Sequence, residues 1–292
     1  MRLVTIYVVL GSLTISIAAQ DAETPQETEA KPYEPAKQEL IIDQRLAESL
    51  PADQIQWLGE GDSAFLARSM PDETGSPLGT VLIVTSPGKT IDSPGYVRRA
   101  LSYFPTVSWN AVVISAGDLD FAGPVVKIPE GSETASGEES APAELMVVDE
   151  NDWYQQQQQA NQSKLVARIS AAAGIIPDAD KGYILVIAGA SAALALDAIS
   201  NRQLTPTAVV LLDINHPVLS YRNALTNDLS EITTPMLDIY QPLEGELAQK
   251  RSVLSRKPTY EQRMIPGVNP DYLGVEDILL RSIRGWLKRI MK

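Results

Sequence analysis

Five short, almost wholly apolar runs constrain the fold of this chain: Thr80–Thr85 (TVLIVT), Ala111–Ser115 (AVVIS), Tyr183–Ala188 (YILVIA), Ala208–Asp213 (AVVLLD) and Met236–Tyr240 (MLDIY). A strand with one wet face alternates apolar and polar residues, whereas these do not, so both of their faces must be covered. A helix-forming segment follows each of them, over Tyr96–Tyr103, Tyr154–Ala173, Ala192–Asn201, Tyr221–Ile232 and Leu247–Ser255. A last strand, Tyr260–Ile265, and a last helix, Val275–Ile290, follow. The alternation predicts an α/β domain, a mainly parallel sheet with helices on both faces. Two earlier strands, Leu40–Asp43 and Ser63–Arg68, come without a helix between them, which predicts an antiparallel edge. In the last helix Val275, Ile278, Leu279, Ile283, Trp286, Leu287 and Ile290 recur at steps of three and four, one stripe aimed at the sheet.

The two polar departures from this rhythm lie at the N-terminus and in mid-chain. Arg2, then the apolar run Leu3–Ala18 ending in Ser16-Ile17-Ala18, reads as a secretory signal over residues 1–18. Residues 19–37, rich in Pro, Glu and Ala, read as a flexible leader to a domain over 38–292. Residues 129–152 read as an acidic loop inserted between a strand and its helix, with Asp149–Asp152 as a solvated acidic turn. Gln155–Gln159 then opens the helix. With no cysteine, disulfides, thiolate metal sites and cysteine catalysis are excluded. A net charge of −13 argues against a nucleic-acid partner, because phosphate binding needs a basic face. The chain is therefore expected to be a periplasmic protein with no stable membrane span once the signal is removed.

No cofactor or metal is expected. Gly88-Lys89-Thr90 has the ending of a phosphate loop, but Ile83 stands where that loop needs a glycine and Pro87 lacks a donor. Asp118-Leu119-Asp120 is too sparse for calcium. Gly189-Ala190-Ser191-Ala192-Ala193 is the stronger signal, a serine among small residues where a strand gives way to a helix. Such a turn can hold a nucleophile above the sheet. The same serine also fits an N-cap of the helix that follows.

The order of elements resembles the α/β-hydrolase fold. More closely, the chain resembles an uncharacterised family of exported bacterial α/β-hydrolase-like proteins. The carrying residues are QWL at 56–58 before AFLAR, GTVLIVTSPG at 79–88 before DSPGYVRRAL, WNAVVIS at 109–115, GASAALAL at 189–196, PMLDIY at 235–240 and GWLKRI at 285–290. The resemblance covers residues 38–292 and implies a serine, an acid after a later strand, and a histidine after the last strand. Here the loop after the last strand reads PGVNPDYLG, with Asn269 about where the histidine belongs, and asparagine cannot shuttle a proton. Ser86 or Gly88, but not Pro87, can supply an oxyanion amide. Asp238 lies within a strand rather than past its end, and Glu244 and Glu246 are no more specific as acids. The one histidine of the chain, His216, follows the strand after the serine. Neighbouring strands lie about 4.8 Å apart, so a Ser191–His216 dyad is the remaining catalytic arrangement.

The expectation is a hydrolase-like protein with a degraded triad, binding a small molecule or an envelope component. The alternative is an esterase-like acyl hydrolase using Ser191 with His216. A third reading makes the acidic insertion the contact surface of a structural envelope factor.

Overall fold

The computed structural model describes residues 35–121, 150–177 and 181–291. Among them, eight strands form one sheet: β1 (Ile55–Leu58), β2 (Phe65–Met70), β3 (Thr80–Val84), β4 (Asn110–Ile114), β5 (Tyr183–Ala188), β6 (Ala208–Leu212), β7 (Met236–Tyr240) and β8 (Tyr260–Met264). Their spatial order is β1-β2-β4-β3-β5-β6-β7-β8. β2 runs antiparallel to both β1 and β4, and the pairs from β4 to β8 are parallel, as the sequence predicts for edge and centre. Every residue of β3, β4 and β6 is buried, the signature of strands covered on both faces.

Helices α2 (Tyr96–Tyr103) and α7 (Glu276–Ile290) cover one face. Helices α3 (Glu150–Ala173), α4 (Gly189–Ser200) and α5 (Leu219–Glu231) cover the other. α6 (Gly245–Arg251) precedes a 3-10 turn over Ser252–Arg256, so the helix expected over Leu247–Ser255 is split in two. In α7 the stripe holds at Leu279, Ile283, Trp286 and Leu287, while Ile278 is half exposed.

Two expectations are corrected, the first of them at the N-terminal side. Leu40–Asp43 is not a strand but part of helix α1 (Pro35–Ser49), and the first strand is β1. The apolar pair Ile41 and Ile42 points outward, whereas Asp43 is buried. Glu39, Asp43, Leu46 and Leu50 follow helical spacing on the docked side, which therefore carries two carboxylates. Asp43 Oδ2 accepts from the Leu66 amide at 2.9 Å. Glu39 takes a bidentate pair from Arg168 of α3, both bonds 2.7 Å, and the guanidinium lies 4.6 Å over the Phe65 ring. The second correction is at residues 150–152, which form the start of α3 rather than an acidic turn. Residues 122–149, like the signal and leader up to residue 34, lie outside the described residues.

Burial, opposed by the Leu66 amide, pushes the Asp43 carboxyl up to about 6 from 3.8. A carboxyl raised on folding binds its proton more tightly in the folded state, so stability falls as pH rises between these two values and is level above them. Asn at this position still offers an oxygen to Leu66. Asp43→Asn is expected to stabilise the protein at neutral pH by on the order of 1–3 kcal/mol and to lose that advantage below about pH 4. Melting temperatures of the two proteins across this range are the check.

Candidate functional site

The order of strands reverses between β3 and β5, because β3 leads to β4 on one side while β5 leads to β6 on the other. Open α/β sheets place ligands in the crevice beyond the carboxyl ends of the strands at such a point. A crevice of about 410 Å³ lies there. Ser86 and Pro87 border it after β3, Ala188–Ala190 after β5, and Asp213, Asn215 and Pro217 after β6. Phe121 and Pro270 complete the wall.

At the end of β5 the chain turns sharply into α4. The residue in the left-handed region is Gly189, with φ +58°. Glycine alone adopts that torsion without steric cost. A Cβ built there would meet nothing closer than Ser86 Oγ at 3.8 Å, so the turn has room for a side chain that glycine lacks. Ser191 stands two residues further on, inside the first turn of α4. It is fully buried, its Oγ has no hydrogen-bond partner among the described residues, and it is not among the residues bordering the crevice. It is not the N-cap of α4 either; that position is Ala188, and no side chain caps the helix. Among the described residues no cap covers the first turn of α4, and Gly189 and Ala190 of that turn border the crevice at the positive end of the helix dipole.

His216 is also buried, at 3% exposure. Its Nδ1 accepts from the Val218 amide at 3.1 Å. Its Nε2 is buried without a partner among the described residues, and the ring stacks edge-on to Phe121 at 5.7 Å and leans on Tyr221 at 4.9 Å. No hydrogen bond joins Ser191 to His216, since Oγ and Nε2 are both unpaired. Burial holds the imidazole pKa below its usual 6.5, assisted by the nearby Arg222 charge and opposed by the Val218 amide.

Of the other sequence candidates, Asp238 and Asn269 have structural partners. Asp238 is fully buried in mid-strand and bound to Arg251, away from the crevice. Asn269 Oδ1 accepts from the Asp271 amide, and its carbonyl accepts from the Tyr272 amide and Gln241 Nε2, so this residue shapes a turn. Glu246 is exposed in the first turn of α6, and Glu244 ends the 3-10 turn before it. Among the described residues no cluster of His, Asp and Glu could hold a metal, and no helix is long and apolar enough to cross a membrane.

Asp213 was not singled out in the sequence, yet it borders the crevice. It has φ +46° at the end of β6, and its Oδ1 accepts from the Gln241 amide at 2.8 Å. Gln241 in turn reaches Asn269, so one chain of bonds ties the ends of β6, β7 and β8 together. The signal was available: an acidic residue ends the apolar run AVVLLD, at the carboxyl end of a central strand. Below Asp213 lie two buried tyrosines, Tyr96 and Tyr272, in edge-to-face contact at 6.1 Å. Burial and the neighbouring carboxylates raise both hydroxyl pKa values well above the usual, so both remain protonated.

The strand order, the antiparallel second strand, and a sharp turn after β5 beneath a crevice define an α/β-hydrolase fold. The chain belongs to the family described as a protein of unknown function (DUF3530), whose model matches residues 1–289. Solved structures similar to it include dienelactone hydrolase from Anabaena variabilis (TM-score 0.53, 15% identity, 81% of this chain and 98% of that one). Est1E from Butyrivibrio proteoclasticus is similar at TM-score 0.54 and 9% identity, over 82% of this chain and all of that one. A thioesterase domain from the curacin biosynthetic pathway matches at TM-score 0.53 and 12% identity, over 80% and 99% of the two chains. At these identities the likeness is one of fold. No curated protein matches the chain in sequence.

Proposed function

We propose that this protein is an exported, non-catalytic binding protein of the cell envelope, which holds a small molecule in the crevice above β3, β5 and β6. The observation that carries the reading is the glycine at the turn after β5. Where this fold can raise a nucleophile's oxygen above the sheet, Gly189 has no side chain, and the nearest serine of α4 is buried. Asn269 supports the same reading, since it stands where a base is expected and is bonded as a turn residue. The crevice favours a ligand with an apolar body, set against Pro87, Phe121, Leu212, Pro217 and Pro270. The uncapped amides of α4 suit an oxygen acceptor, and Asp213 on the same wall favours an uncharged carbonyl over a carboxylate. Export rests on the N-terminal signal pattern.

The test uses protein recovered from the periplasm of an expressing bacterium, whose intact mass reports cleavage after Ala18. Incubation with a fluorophosphonate is expected to leave the folded protein unlabelled. Labelling lost in Ser191→Ala would establish the acyl-hydrolase alternative. Labelling that survives in Ser191→Ala would assign an activated hydroxyl elsewhere, Ser86 first, and would equally end the non-catalytic reading.

A further inference from the structure

Phe121 borders both the crevice and a second void, of about 10 Å³. That is roughly the smallest space that admits one water molecule. His216, Gln158, Trp153, Tyr154 and Tyr221 are among the residues around it. Two of them end in buried atoms with no hydrogen bond among the described residues, His216 Nε2 and Gln158 Oε1. Because Nδ1 of the imidazole accepts from the Val218 amide, the proton of the neutral ring belongs on Nε2. A donor without an acceptor and an acceptor without a donor, among the described residues, thus belong to two side chains that border one water-sized space. Asn161, beside them, is already committed to the backbone of Asp120 in both directions.

We propose that His216 is a positioning residue of the crevice wall: neutral and protonated on Nε2, it shares one bound water with Gln158, and this tie between α3 and the β6–α5 connection is released when the ring takes a second proton. The consequence for ligand binding rests on the crevice being the functional site; the tie itself does not.

The chemistry of release is local. A second proton would sit on Nδ1, facing the Val218 N–H donor against donor. It would also add charge beside Arg222, whose Nε donates to the His216 carbonyl at 2.9 Å. The ionisable groups near the ring among the described residues are Asp120 ahead of α3, Tyr154 on α3, and Tyr221 and Arg222 on α5. Since folding lowers the imidazole pKa, the tie is complete above about pH 6.5 and weakens as pH falls below it. Phe121 and Tyr221, which hold the ring between them, are then freed to move the crevice wall.

His216 is the one histidine, so its imidazole gives a single set of nitrogen resonances in the full-length protein. The expected spectrum shows the Nε2-protonated tautomer, a midpoint below 6.5, and an Nε2 proton that exchanges with solvent about tenfold faster in Gln158→Leu. The chain lacks cysteine, so Ala190→Cys places one thiol in the crevice for labelling with monobromobimane. Asn at 216 keeps an acceptor for Val218 but does not titrate, so dividing each rate by that of Ala190→Cys/His216→Asn cancels the thiol's own ionisation. The ratio is expected to rise roughly threefold from about pH 8 to about one pH unit below the midpoint that the nitrogen spectrum gives. An Nδ1-protonated tautomer, a midpoint at or above 6.5, or a flat ratio would overturn the proposal. Neither readout needs a ligand, so either can fail while the binding reading stands.

Discussion

Replacing Arg251 by methionine is expected to lower stability by about 3–5 kcal/mol, the largest effect of any single change outside the apolar core. Arg251 and Asp238 are 2% and 0% exposed, and the guanidinium reaches both carboxylate oxygens, at 2.8 and 3.2 Å. The Tyr260 hydroxyl and Gln262 Nε2 donate to the same carboxylate. Burial works against the charge on Arg251, but Asp238 more than offsets it and raises the arginine pKa. Burial and Asp238 together also push the Tyr260 hydroxyl up, so it stays a donor. Methionine would keep much of the packing and leave Asp238 as a buried charge with only neutral donors. For a domain of this size the loss corresponds to a fall in melting temperature of roughly 10 °C. Asp238→Leu in the Arg251→Met background is expected to recover most of it, because a well-packed apolar pair avoids the desolvation that the ion pair must offset. A single variant that melts with the wild type would mean that water reaches this pair. The network also accounts for Asp238 standing in mid-strand: the carboxylate fastens β7 to α6 and β8.

The central strands were legible because burial on both faces leaves no alternation to misread. β3 and β6 are wholly apolar between their ends, and the structure buries every residue of them. α1 was misread for the opposite reason. Its most apolar stretch, Leu40–Ile42, looks outward or lies half-buried, and its docked side is held by Glu39 and Asp43 through Arg168 and a strand amide. Hydrophobic periodicity carries no trace of a helix docked through charge. At the elbow, residue spacing centred the pattern on Ser191, whereas the backbone centres the turn on Gly189. The glycine itself was the available clue, since the left-handed torsion falls on the first residue past the strand. His216 was placed correctly after β6, but its side-chain environment was not legible. Its neighbours Trp153, Tyr154 and Gln158 come from α3, about sixty residues earlier in the sequence.

Gly95→Ala is expected to cost about 2–4 kcal/mol, and to do so at the crevice. Gly95 has φ +80° at the N-cap of α2, and a Cβ there would lie 2.1 Å from the carbonyl oxygen of Asp271. The two nearest atoms are backbone and the third, at 3.0 Å, is the Asp271 Cβ, which the backbone fixes, so nothing can swing aside. The same carbonyl accepts from the Tyr96 amide at 2.9 Å, and the Asp271 carboxylate takes a 2.8 Å ion pair from Lys89. α2 and the loop after β8 are thus joined at one point, and that loop carries Pro270 into the crevice wall. Tyr272, held at φ +56°, packs its ring against Tyr96 from the same loop. Alanine at 95 must push this loop away, separating the two tyrosines and drawing Pro270 back. The expected signature in hydrogen exchange is loss of protection at the Tyr96 and Tyr272 amides while β5 and β6 keep theirs. Equal loss in β5 would instead mean that the loop is part of the cooperative core, and the crevice wall could then not change shape without unfolding the sheet that supports it.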